Sequence, residues 1–157
     1  MKKTLLNTGF TLIELLVVVA IIGILTAVLS ANFLTAKSKS RDAKRVSDLS
    51  QIQLALEQAF DKCNQYPASG ALTTSTSVCS GVTLGNFMSV VPTDSGTAYA
   101  YVSSPSSNAT DYVLRAKLEN LNPSVLTDDV DGAPLGQATG YCDDSAPNNI
   151  YYCVQPK

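Results

Sequence analysis

Two hydrophobic patterns follow one another in the first third of this chain. From Leu15 to Leu34 twenty residues pass without a charge. At 1.5 Å per residue such a helix is roughly 30 Å long, enough to cross the hydrocarbon core of a bilayer. Gly23, Thr26, Ser30 and Asn32 dilute this run without breaking it. From Val46 the pattern changes: Val46, Leu49, Ile52, Leu56, Ala59 and Phe60 recur at spacings of three and four, with Asp48, Gln51, Gln58 and Asp61 between them. That periodicity predicts an amphipathic helix with one buried stripe. No proline or glycine lies between Ile24 and Tyr66, so both segments can belong to one helix. From Phe10 to Lys62 it would be on the order of 80 Å long, and Pro67 and Gly70 would end it.

Beyond the helix the period becomes two. Tyr99–Ser103 and Asp111–Leu118 are β-rich runs separated by a Pro/Ser/Asn turn region, which predicts a hairpin. In the second run Tyr112, Leu114, Ala116 and Leu118 share one face and Val113, Arg115 and Lys117 the other. The first of these faces can lie on the helix stripe. Before the hairpin come a Ser/Thr-rich loop and an apolar piece, Asn86 to Val91, closed by Pro92. After it, Tyr141-Cys142 and Ile150–Val154 predict a last hairpin. The resulting fold class is α+β: a long N-terminal helix with a small antiparallel sheet packed on its C-terminal half. The organisation read from these patterns is a leader at 1–9, an apolar helix at 10–35, its amphipathic half at 36–66 and a head at 67–157.

Charge sharpens this layout. The leader carries Lys2 and Lys3, and the stretch 37–45 holds Lys37, Lys39, Arg41, Lys44 and Arg45 against Asp42 alone, a balance of +4. From Val46 to the end eleven acids face four bases, a balance of −7. A basic belt beside the apolar run therefore precedes an acidic head. There is no histidine, which removes the commonest general base and metal ligand. With no nucleophile elbow either, an enzyme is not expected. The four cysteines, Cys63, Cys79, Cys142 and Cys153, all follow the apolar run and form no Cys-x-x-Cys pair. That predicts disulfides rather than zinc, and a head outside the cytoplasm. Of the three connectivities, the sequence-local choice is Cys63–Cys79 with Cys142–Cys153, each bond contributing about 2–4 kcal/mol.

The junction Gly9-Phe10-Thr11-Leu12-Ile13-Glu14 joins leader to apolar run. A carboxylate at the head of an apolar span is costly, and its presence calls for a reason. An ordinary secretory signal has a shorter apolar region and keeps it free of charge. The stretch MKKTLLNTGFTLIELLVVVAIIGIL resembles the signal of type IV pilins and type II secretion pseudopilins. The resemblance continues through Arg41–Glu57 to Gln65-Tyr66-Pro67, about residues 1–67. It implies cleavage after Gly9 by a prepilin peptidase, methylation of the new N-terminal Phe10, and a role for Glu14 as the carboxylate that meets a neighbour's terminal amine. It further implies a structural subunit, assembled helix-inward into a helical filament of copies of itself by a platform protein and an ATPase. Lys2, Lys3 and the amine are outnumbered by the five bases after the span, which taken alone favours the opposite orientation. The cysteines and the cleavage motif favour the head outside the cytoplasmic membrane.

Other features qualify this reading. Asp128, Asp129 and Asp131 with Gly132 form an acidic turn that suits a hard cation, with Asp143 and Asp144 able to add oxygens. The resemblance implies calcium there, since major pseudopilins bind it in the corresponding late loop. A solvated turn needs the same residue types. The belt at 37–45 suits anionic lipid head groups or pairing with an acidic head. It holds no stacking aromatic, so nucleic acid is not an expected partner. The alternative to a filament subunit is a membrane-anchored binding module for adhesion or DNA uptake.

Overall fold

The computed structural model describes residues 9–104, 108–121, 123–127, 129–143 and 150–156, the side chains of 28–32 and 123 excepted. The chain divides into two units, Met1–Lys37 and Ser38–Lys157. Its architecture is α+β. Helix α1 spans Leu12–Cys63, and the strands are short and antiparallel: β1 Ser77–Cys79, β2 Val82–Thr83, β3 Thr93–Asp94, β4 Thr97–Ala98, β5 Ala100–Ser104, β6 Asp111–Lys117 and β7 Tyr151–Val154. A one-turn helix α2, Pro123–Leu126, follows β6.

In the first unit the helical side chains from Leu12 to Leu25 are aliphatic and largely exposed. Among the described residues no helix is long and apolar enough to cross a membrane. The described side chains of the apolar run are interrupted between Ala27 and Phe33, so neither described stretch has the roughly 20 residues a span takes.

In the second unit the stripe read from the sequence is the inner face of the helix. Leu49, Ile52, Leu56 and Ala59 are almost wholly buried. Leu49, Ile52, Ala55 and Leu56 pack against Tyr66, Leu72, Leu84, Tyr99, Tyr101, Tyr112 and Leu114 in one core. Helix α1 ends before the proline does its work: Asn64 adopts a left-handed conformation (φ 52°), and its N–H bonds the Phe60 carbonyl at 2.7 Å. Asparagine tolerates this conformation, which satisfies a carbonyl that the helix end would leave open.

The main sheet has the order β5-β6-β7. Tyr101 pairs with Leu114 and Ser103 with Tyr112, so β5 and β6 form the expected hairpin. Among the described residues the expected last hairpin forms no ladder, only one bond from the Tyr151 N–H to the Asp143 carbonyl at 3.3 Å. Strand β7 pairs with β6, Leu114 opposite Val154 and Lys117 opposite Tyr151, while Cys142 bridges Gly132 instead. Alternation within a segment marks it as a strand but does not say which edge it joins. Both faces of β6 are covered as a result. Tyr112, Leu114 and Ala116 face the helix, and Val113 packs with Cys142 and Cys153 beneath Val130 and Tyr151. The loop after α1 also holds an unforeseen small hairpin, β1-β2. It is followed by a 3₁₀ turn at Leu84–Asn86, where a Cβ on Gly85 would lie 2.7 Å from the Thr74 carbonyl oxygen.

The core is unusually rich in phenols, and each finds an acceptor. Tyr66 and Tyr112 donate to Glu57 at 2.8 and 3.2 Å, Tyr99 to Asp48 at 2.7 Å and Tyr101 to the Pro67 carbonyl at 2.9 Å. Asp48, which the sequence placed between apolar positions, is itself buried. Burial, above all, pushes the four phenols well above their ordinary 10. The folded head therefore favours neutral tyrosine, a contribution fully present below pH 10 and lost as the pH climbs toward the raised values. Above pH 10 we expect phenolate absorbance to rise together with loss of near-ultraviolet ellipticity. Four phenolates appearing near pH 10 in a still-folded chain would contradict this.

Candidate functional site

Two polar groupings on α1 stand out from its apolar surroundings. The first is at its start. Thr11 precedes the first helical turn and Glu14 lies three residues on, the reciprocal arrangement that caps a helix. The Thr11 N–H and hydroxyl both donate to Glu14 Oε2, at 2.9 and 2.6 Å, and the Glu14 N–H reaches back to Thr11 Oγ1 at 3.3 Å. Phe10, just outside the helix, is 90% exposed. Gly9 and Phe10 thus lie just outside the helix, before a carboxylate already held in place by its own chain.

The second grouping lies at the start of the second unit and was not foreseen. Asp42 and Arg45 are buried. Asp42 Oδ1 accepts from Arg45 Nη1 at 2.8 Å and from the Glu119 N–H at 2.9 Å. Its Oδ2 accepts the Asn120 N–H at 2.9 Å and the Asn120 side-chain amide at 2.8 Å. Arg45 meets Asp94 through Nε at 2.9 Å and Glu119 through Nη2 at 2.9 Å, and Arg41 also pairs with Glu119. The helix is thereby tied to β3 and to the turn after β6. A signal was present: positions 42, 45, 49, 52, 56 and 59 share one helical phase, so Asp42 and Arg45 continue the buried stripe.

Hydrogen bonding from Arg41, reinforced by Arg45, holds the Glu119 carboxyl down to about 2. An unfolded chain takes up this proton nearer 4.5. The pairing therefore contributes its stability above that value and loses it as the pH falls toward about 2. Because Glu119 is a third exposed, salt screens the effect. In an acid titration we expect Glu119→Gln to flatten the limb between those values and to remove much of its salt dependence. An unchanged limb would place the acid lability elsewhere.

Residues 6–30 match the model of the prokaryotic N-terminal methylation motif. Over its N-terminal third the chain is similar to type IV pilins and type II secretion pseudopilins. The type IV major pilin protein PilA of Myxococcus xanthus is 40% identical over 60 residues, 38% of this chain and 27% of that protein. The type II secretion system core protein G of Vibrio cholerae is 46% identical over 61 residues, 39% of each chain. A fimbrial protein of Pseudomonas aeruginosa is 43% identical over 52 residues, 33% of this chain and 34% of its own. The chain therefore covers well under half the length of these relatives. No solved structure matches it.

Within this pilin-type layout the structure places the remaining candidates. Cys63 is bonded to Cys79 and Cys142 to Cys153. The first bond pins β1 to the end of α1, and the second, fully buried, ties β7 to the Gly132 bridge. Asp128 and Asp144 lie outside the described residues. Asp129 Oδ2 accepts the Cys153 N–H at 3.2 Å, so one of its oxygens is turned inward to β7. Among the described residues no three acidic, histidine or cysteine side chains gather as a metal site. The basic belt is not a uniform patch either. Arg41, Lys44 and Arg45 pair within the chain, with Glu119, Asp48, Asp42 and Asp94, and only Lys37 and Lys39 make no ion pair among the described residues. Tyr141 and Tyr151 flank one cation: Arg115 lies 3.8 Å from the Tyr141 ring centroid and 4.5 Å from that of Tyr151.

Proposed function

We propose that this chain is a structural subunit of a type IV pilus or type II secretion pseudopilus. In this reading a prepilin peptidase cuts after Gly9, Phe10 becomes the methylated terminus, and the apolar helix first holds the subunit in the cytoplasmic membrane with its head outside. A platform protein and an ATPase then move it into a filament of like copies. One observation carries the reading: the residues that match the methylation motif include a helix whose aliphatic side chains are exposed from Leu12 to Leu25. So large an apolar surface is stable only against lipid or other copies of itself.

Glu14 fits this sequence of states. Near a membrane face its charge costs little, and the Thr11 bonds hold it ready. In a filament core it and a neighbour's amine would both be desolvated, and a desolvated charge without its partner costs about 3–5 kcal/mol. The pair then selects register more than it adds stability. The head, stapled by two disulfides, takes no catalytic part. The deciding measurement is the mass of the mature N-terminal peptide. We expect a chain beginning at methylated Phe10; one beginning near Ala31, or retaining Met1, would sink the reading.

A further inference from the structure

An open groove of about 500 Å³ runs beside the Asp42–Arg45 cluster, within the size range of small-molecule sites. Its walls are mainly apolar, from Ala43 and Val46 on α1 and from Leu118, Leu121 and Val125 opposite, with Lys39 at the rim. Leu121 is 62% exposed. Resting on the proposed membrane stage, we propose that this groove takes an acyl chain of an anionic phospholipid while Lys39 holds its phosphate.

Three observations favour that occupant. Lys39 is five residues from Leu34, the end of the charge-free run. Whatever path the chain takes, the groove rim is then within about 17 Å of that end. Next, Lys39 makes no ion pair among the described residues, whereas Arg41, Lys44 and Arg45 are paired. Finally, the acid in the groove wall does not oppose an anion. Asp42 already accepts four hydrogen bonds, from Arg45, the Glu119 N–H and both Asn120 donors. Lipid seated there would screen Leu121 from water before assembly and leave when the subunit departs.

The full chain, reconstituted in vesicles of phosphatidylglycerol and phosphatidylcholine carrying a phospholipid with a photoreactive acyl terminus, tests this. Illumination should label peptides from 118–125 as well as from 15–34. Lys39→Ala should cut the label at 118–125 roughly five-fold, the worth of one basic residue at an anionic surface. Leu121→Asp should abolish it, and both variants should leave the label at 15–34 unchanged. Because both side chains are exposed, neither change disturbs the core. Label confined to 15–34, or label at 118–125 that ignores both substitutions, overturns the groove proposal alone. Chain-to-chain adducts at Leu121 in place of lipid adducts also overturn it, assigning the groove to a second copy. No label at 15–34 overturns both this proposal and the membrane stage beneath it.

Discussion

Glu14→Ala should leave the chain in the membrane and stop filament growth. Among the described residues the carboxylate's hydrogen-bond donors are the N–H and hydroxyl of Thr11, three residues away. Its removal costs the helix one cap, about 1 kcal/mol. In the proposed filament it also leaves each incoming amine buried without a counter-charge, at about 3–5 kcal/mol. That is roughly two to four orders of magnitude in the affinity of a subunit for a growing end. Thr11→Ala separates the two effects, because it weakens the cap and keeps the charge. Filament yield from shear fractions, beside membrane content of the subunit, reads the outcome. Normal filaments from Glu14→Ala, or equal losses from both variants, would remove Glu14 from the assembly step.

The second large effect concerns stability of the head. Asp42→Ala removes the acceptor for two backbone N–H groups, one side-chain amide and part of Arg45. Breaking a buried pair in this way costs about 3–5 kcal/mol, against a total of about 5–15 kcal/mol for a typical domain. We expect the melting temperature of the full chain in detergent to fall by at least about 10 °C. Asp42→Asn, which keeps one acceptor and the side-chain shape, should lose less. A melt within a degree or two of the parent would show that water replaces Asp42 without penalty.

What the sequence disclosed, and what it did not, follows from the range of the interactions. The stripe from Leu49 to Ala59 was legible because burial on a helix repeats every three or four residues whatever lies opposite. The alternation of Tyr112, Leu114 and Ala116 was legible for the same reason at period two. The short spacings from Cys63 to Cys79 and from Cys142 to Cys153 favoured the two bonds that the structure contains. The partner of β7 could not be read, because pairing across a sheet is a choice between edges and leaves no mark on the strand itself. Of the Asp42 cluster, the helical phase marks Asp42 and Arg45 as buried but not their partners, since Asp94 and Glu119 look like ordinary turn acids until they meet Arg45. Counting charge along 37–45 gave a basic belt; pairing in space among the described residues takes up Arg41, Lys44 and Arg45.

The cluster around Arg45 has a consequence for the order in which the head can form. Its members come from positions 42–45, 94 and 119–120. A polypeptide delivered from its N-terminus exposes Asp42 and Arg45 well before their distant partners emerge. Through that interval both side chains must keep their water, and closing such long loops is slow. The helix from Ser38 onward therefore cannot settle on its tyrosines for good until the turn after β6 has arrived. A product truncated before Glu119 would hold Asp42 with acceptors unfilled, and would linger in the open state that proteases remove. The cluster thus works as a completeness check on each newly made head.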